Sequence, residues 1–445
     1  MCVFSQKNNF LNCSVYNIIM DEFECISFFE NHKKELVKSV ENYNKRLIVN
    51  DIEKEIVDFE NGSNRIFIYY GLRGIGKSTA LYQIISKYPN CLFIDGSTIR
   101  ELKVDFLKLI TEYKKLKNYN VLLIDEINDI PNWGNYLKTF QDILGLKVIA
   151  TGSSAIKISA QKKEILRRAR FKEMQPLSFK EYLNIKYNIN ININKEIIET
   201  IFSEPKDAYQ KAKLLILKIK EDDPNIWIHF REFIFNGFPQ SFKNLNIDEC
   251  ADQIIDKIIL NDFPEISGFN LTSIKKAKMI ITAFSLYKPG DFSYDTIASN
   301  YSLSKNTVVE IINSFVVSSL LIETFTSSSF ANKFRKKSKF IFSSSAIRYG
   351  LMKKHPGVDQ NIGFLREDSF VSAMYYNGID VTYLKDGRKQ PDYLIIKDGK
   401  RSIIEIGGPS KNTKQLQKGF LLKDSDVVDV IGDICILPLY LVNLI

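Results

Sequence analysis

Positions 71–79 read GLRGIGKST and satisfy the spacing G-x-x-x-x-G-K-[ST] in full. Residues of these types at this spacing do chemistry on phosphates. Gly71, Gly74 and Gly76 let the backbone turn its N–H groups inward around an anion, with Ile75 and Thr79 in the same cradle. Lys77 reaches toward β- and γ-phosphates as a point charge, and Ser78 offers a hydroxyl to Mg²⁺. A second acidic element follows at 121–126, VLLIDE. Its apolar run buries a strand, and its two carboxylates emerge at the carboxyl end, where open parallel sheets bind ligands. Asp125 is suited to hold Mg²⁺ through water, and Glu126 to orient the attacking water. The bland alternatives are a glycine-rich connector and an exposed acidic turn. The strand before the glycine loop, the helix after it and the acidic partner weigh against both.

Two further groups extend this site. KVIATGSS at 147–154 ends in hydroxyls, of which Thr151 and Ser153 would sit beside a γ-phosphate, although a plain Ser/Gly turn accounts equally well for either alone. Arg167, Arg168 and Arg170 follow. Arg168 is the candidate to touch the γ-phosphate of its own or a neighbouring subunit's nucleotide, against the alternative of a solvated basic helix end.

Positioning these residues requires a strand-helix alternation, and the pattern supplies it. Apolar runs at 65–70, 91–95, 121–125 and 147–151 read as buried strands, with helical periodicity at 78–89, 102–116 and 135–145. Such an alternation implies an α/β fold with a parallel sheet covered on both faces. A strand intervening between the two motifs resembles the ATPase branch of P-loop proteins, which implies the sheet order 5-1-4-3-2. Residues 21–60 read as two amphipathic helices. From 178 to 285 the pattern is helical, 286–345 holds shorter helices and a basic Ser-rich hairpin, and strands return at 380–384, 392–396 and 402–406. The expected divisions are an N-terminal extension with helices at 1–50, the core at 51–185, a helical middle at 186–275, a winged-helix-like domain at 276–350 and a small α/β domain at 351–445.

The 445 residues, 45% apolar and 25% charged, fit a multidomain globular chain. A net charge of +9 permits nucleic-acid binding without requiring it. The six cysteines show no metal-ligand spacing and fit a reduced cytoplasmic interior. No apolar stretch of about 18 residues predicts a membrane span, and no secretory signal pattern opens the chain. The Asn-rich segment 1–19 reads as a loosely held extension, or as an over-long start with Met20 as the working one.

The ordered set GLRGIGKST, VLLIDEI, PNW at 131–133, KVIATGSS, the arginine pair and PLSFKEYL at 176–183 resembles the prokaryotic AAA+-type ATPases that carry a C-terminal domain of unknown function. NGFP at 236–239 resembles that family's Gly-x-Pro turn, and Asp262 lies where a middle-region helix usually carries an Asp. Arg167 replaces the Gly usually paired with the arginine matched by Arg168. The resemblance implies a P-loop NTPase fold, use of ATP with Mg²⁺, then a winged-helix segment and a nuclease-like domain.

Residues 293–315 themselves carry a helix-turn-helix pattern, with a turn at 301–303 and a second helix capped by Ser304. Lys305, Asn306 and Thr307 would face a groove of double-stranded DNA, and the basic run 333–339 would form a wing on its backbone. Packing or contact with a protein partner is an equal alternative. In the tail, Glu367, Pro391-Asp392 and Glu405 resemble the E…PD…(D/E)-x-K arrangement of restriction-type nucleases, whose carboxylates bind Mg²⁺. Gly407 stands at the lysine position, with Lys389 and Lys411 as conceivable spatial substitutes, so an inactive, DNA-binding or structural relic is the expected reading. The function expected overall is an ATP-hydrolysing switch or motor acting on DNA. The alternatives are an ATP-dependent regulator of a protein partner, with oligomerisation possible, or an active Mg²⁺-dependent nuclease.

Overall fold

A computed structural model describes residues 20–58, 66–153, 158, 165–243, 245–265, 271–288, 293–326, 338–355, 362–384 and 390–445. The chain divides into two compact units. One comprises Met1–Tyr70 and Gly76–Met174, and the other Gly71–Ile75 and Gln175–Ile445. Residues 1–19, Ser154, 333–337 and Lys389 lie outside the described residues.

The first unit begins with α1 (Glu22–Val40), opened by an Asp21–Glu24 capping box, and α2 (Leu47–Val57). The alternation then runs β1 (Ile66–Tyr70), α3 (Lys77–Lys87), β2 (Leu92–Asp95), α4 (Gly96–Leu102), α5 (Phe106–Lys117), β3 (Val121–Asp125), α6 (Trp133–Asp142), β4 (Lys147–Gly152) and β5 (Ala169–Glu173). The sheet order is β2-β3-β4-β1-β5 with every pairing parallel, which is the expected 5-1-4-3-2 read from the other edge. The strands form because both of their faces are covered, so continuous apolar runs such as Ile66–Tyr70 bury nearly every side chain. One face packs Ile66, Ile68, Leu122, Ile124 and Val148 against Phe106, Tyr113, Trp133 and Phe140. The sequence missed β5, whose alternating burial pattern belongs to an edge strand and lacks an apolar run.

The second unit opens with α7 (Phe179–Tyr187), α8 (Asn194–Ile201), α9 (Pro205–Asp222), α10 (Ile226–Asn236) and α11 (Ile247–Lys257). A π-helical turn, Ile258–Asp262, follows. Next come α12 (Leu271–Leu286), α13 (Tyr294–Asn300), α14 (Lys305–Val317), β6 (Leu321–Thr326), β7 (Ser338–Phe342), α15 (Ser345–Lys353) and α16 (Ile362–Tyr376). The chain closes with β8 (Asp380–Tyr383), β9 (Tyr393–Lys397), β10 (Lys400–Gly407), β11 (Gly419–Lys423), β12 (Asp429–Ile431), β13 (Ile434–Pro438) and α17 (Leu439–Val442). Helices α13 and α14 lie on either side of the turn at 301–303, and the Ser304 hydroxyl accepts from Thr307 N at 3.1 Å.

The expected boundary at 350 is corrected. The hairpin β6–β7 and the tail strands form one eight-stranded mixed sheet, β12-β13-β11-β10-β9-β8-β6-β7, joined by the parallel pairing of β6 with β8. One apolar core continues from Leu177 through Tyr182, Phe230, Phe370 and Tyr393 to Ile445, so the middle helices and the tail share a single interior. Arg348 and Asp368, both fully buried, cross it with Nη1–Oδ1 at 3.2 Å, and Arg348 also donates to Ser285 O and Tyr287 O. Burial pushes the Asp368 carboxyl up to about 7 against the opposing pull of Arg348. Among the described residues no helix is long and apolar enough to cross a membrane.

Candidate nucleotide site and a second carboxylate cluster

The phosphate loop leaves β1 through three glycines at positive φ, Gly71 at 148°, Gly74 at 78° and Gly76 at 93°. The last two lie where an L side chain is strained, so glycine is what allows the loop to curl. Gly76 caps α3, so Lys77, Ser78 and Thr79 form its first turn, where the helix dipole favours an anion. Lys77 is 5% exposed and Ile75 fully buried.

At the ends of β3 and β4 the carboxylates and hydroxyls meet. Thr151 Oγ1 donates to Asp125 Oδ1 in a short bond, Tyr82 OH donates to Oδ2 at 3.3 Å, and the nearby Ser78 hydroxyl favours the ionised form of the same carboxylate. Desolvation, then the neighbouring Glu126, pushes the Asp125 carboxyl up to about 6. Glu126 adopts a left-handed conformation (φ 49°, ψ 52°), uncommon for a non-glycine residue and associated with functional sites. Its oxygens accept from Ser153 Oγ at 2.7 Å, and Oε2 also accepts from Ser153 N at 3.1 Å. Asn128 Oδ1 accepts from the same Ser153 N–H at 3.1 Å.

Thr151 and Ser153 therefore lie against the two carboxylates. Close approach explains Gly152 here, because a Cβ would meet Asn128 Oδ1 and Ile158 Cδ1, both at 2.7 Å. Tyr82, Asn128 and Asp95, which pairs with Asp125 in register, were missed. Asp95 sat within the strand pattern, but Tyr82 and Asn128 carried no motif signal.

Arg168 is placed elsewhere. Ala169 pairs with Ile66 and Glu173 with Tyr70, so Arg168 sits at the amino end of β5, roughly 16 Å of strand from the start of the loop. It pairs with Asp142, Nη2–Oδ2 3.2 Å, and the reading of Arg168 as a contact to its own chain's nucleotide is corrected.

The site fits a Mg²⁺–nucleotide. A buried carboxylate raised by desolvation and by a second carboxylate is relieved by a cation, and the loop and Lys77 supply the matching anion cradle. Lys77, Ser78 and Asp125 are the residues that would hold it.

The tail cluster is built differently. Glu367 on α16 accepts from Lys339 Nζ at 2.6 Å and from Tyr393 OH at 2.8 Å. Asp392 Oδ2 accepts from Ile406 N at 2.9 Å, and Asp392 N donates to Glu405 at 3.1 Å. Glu405, 1% exposed, forms a short ion pair with Lys411, which also donates to Gln415 at 2.6 Å. A Cβ at Gly407 would meet Lys411 Cβ and Cγ at 2.3 Å, so the Lys411 stem fills the space a lysine at 407 would need. Burial and then Asp392 push Glu405 up to about 7, and burial and Glu367 raise Asp392.

Among the described residues no group of three His, Cys, Asp or Glu side chains is arranged to hold a metal ion. With Lys411 on Glu405 and Lys339 on Glu367, the tail does not fit a resident divalent cation. Lys339 corrects the wing reading as well, since it is buried on Glu367 and over the Tyr383 ring.

Residues 63–183 match the family model of the AAA domain. The core over these residues is an α/β fold whose parallel sheet and phosphate-loop motif are similar to those of that nucleotide-binding domain. The chain is similar to two uncharacterized proteins of Methanocaldococcus jannaschii. One is 28% identical over 427 residues, covering 91% of this chain and 89% of the relative. The other is 24% identical over 396 residues, covering 83% and 79%. Among solved structures, Hsp104 of Saccharomyces cerevisiae in complex with ADP matches at 14% identity and TM-score 0.28, over 60% of this chain and 39% of that one. A RuvB mutant of Thermotoga maritima matches at 15% identity and TM-score 0.24, over 62% and 89%. Overlaps this slight carry no argument about this chain.

Proposed function

We propose that this protein hydrolyses ATP and works as a nucleotide-driven switch or motor on DNA. The observation that carries the ATPase reading is the convergence of Ser78, Thr151 and Tyr82 on the buried Asp125 carboxylate, one residue before Glu126. Bound Mg²⁺ would neutralise charge between β- and γ-phosphates. The chain's own work is to hold the phosphates in the loop with Lys77, to fix Asp125 through hydroxyl donors, and to present Glu126 to an attacking water. Ser153 engages Glu126 in this structure, so turnover requires that carboxylate to exchange its partner for water. Arg168, remote from its own loop, would serve a nucleotide only across an oligomer.

The DNA assignment rests on the net charge and on the helix-turn-helix of α13 and α14. A protein partner is the second reading. It is favoured by Lys305, paired with Asp295 at 2.9 Å, and by Lys339, buried on Glu367, both of which the DNA reading needs free.

The test measures ATP turnover of the full chain with and without double-stranded DNA, beside Lys77→Ala. Turnover falls about 100-fold or more in Lys77→Ala, the scale of losing one preorganised charge-stabilising donor. Full activity in that variant removes the ATPase reading. DNA stimulation that fades with salt supports DNA, and indifference to DNA transfers the assignment to the protein partner.

A further inference from the structure

The middle of the phosphate loop, Gly71–Ile75, belongs by its packing to the second unit. Two contacts account for this. Arg73 grips Asp262 side-on, Nη2–Oδ1 at 2.7 Å and Nε–Oδ2 at 3.3 Å, with the Asp262 side chain 1% exposed and that of Arg73 16%. Gly74 lies against the turn Pro239–Lys243, where a Cβ would meet Gln240 Nε2 at 2.8 Å and Phe238 Cε1 at 3.3 Å. Gln240 Oε1 is buried and finds no hydrogen-bond partner among the described residues. Asp262 closes the π-helical turn Ile258–Asp262, a rare geometry frequent at functional sites.

A planar guanidinium held bidentately loses its freedom to rotate, and the backbone that carries it is fixed with it. Arg73 lies between Gly71 and Gly74, among the amides that must face a phosphate. We propose that Asp262 is a positioning residue for the phosphate loop: acting through Arg73, it fixes the Gly71–Ile75 backbone in the conformation that receives a phosphate. An ion pair this well buried is costly to leave half-made, so loss of either charge alters the loop that carries Arg73. The inference rests on the ATP-binding reading above.

The experiment compares the full-length protein with Asp262→Asn, Asp262→Glu and Arg73→Gln, using steady-state ATP turnover and titration with a fluorescent ATP analogue. Asp262→Asn and Arg73→Gln should raise both KM and the dissociation constant about tenfold, with kcat changed less than threefold. Asp262→Glu should recover most of the affinity. A charge reversal, Arg73→Asp with Asp262→Arg, should bind more tightly than either of its single substitutions. Unchanged affinity in folded Asp262→Asn and Arg73→Gln, beside an active wild type, overturns the inference. A wild type that neither binds nor turns over ATP overturns the ATP reading instead. Should Asp262→Asn fail to fold, Arg73→Gln, on the more exposed partner, decides alone.

Discussion

The two carboxylate clusters use the same residue types to opposite ends. At the ends of β3 and β4, Asp125 and Glu126 are held by hydroxyls and a backbone amide from Ser78, Tyr82, Thr151 and Ser153. Neutral donors fix a carboxylate in place and leave its charge for a ligand. In the tail, Lys339 and Lys411 bring ammonium groups onto Glu367 and Glu405. There the chain has supplied its own cations. Burial raises carboxyls in both places, so burial alone does not mark a ligand site. What separates them is whether the compensating charge is already covalently part of the protein.

The largest test of this contrast is Glu126→Gln. It should keep ATP affinity within about threefold and lower kcat by about 100-fold, within the range of losing a positioned acid-base group. Single-turnover and equilibrium binding measurements separate the two effects, and unaltered kcat would mean Glu126 has no part in hydrolysis.

A pH titration comes next. Asp125 ionises in the folded protein at about 6, above its ordinary 3.8, so its proton is held more tightly in the folded state. Its contribution favours folding below about 4, is lost as pH rises toward 6, and is constant above. A cation competes with that proton, so Mg²⁺–nucleotide affinity should fall up to tenfold per pH unit below 6. Affinity flat from pH 7 to 5 would put the nucleotide's metal away from Asp125.

The third test falls in the tail. Lys411→Met leaves Glu405 buried beside Asp392 and should cost about 1–3 kcal/mol at pH 8, discounted for the partly exposed lysine. The loss should shrink below pH 7 as Glu405 takes up its proton. Denaturant unfolding with and without millimolar Mg²⁺ decides the point. If Mg²⁺ restores the lost stability, the tail does hold a cation and the contrast disappears.

Much of the first unit was legible because its signals are local. Buried parallel strands declare themselves as apolar runs, and the glycine, lysine and acidic positions carry fixed spacings, so four of the five strands followed from the chain and their order from the family resemblance. Strand β5 was not legible, because an edge strand has no such run. The tail was legible as a motif, with Lys411 among the spatial substitutes for the lysine absent at Gly407. Only the fold shows the Lys411 stem filling that place and its ammonium on Glu405.

Sequence by itself determined the phosphate loop, the acidic strand end and the four apolar core strands, all set by residues close along the chain. Tertiary structure alone decided which charges meet. Arg73 finds Asp262, Ser153 takes Glu126, Lys339 is withdrawn onto Glu367, and Arg168 falls at the far end of β5. The reason is physical: spacing fixes which residues share an element's end, but charge compensation in a low-dielectric interior depends on neighbours that only packing brings within a few ångströms.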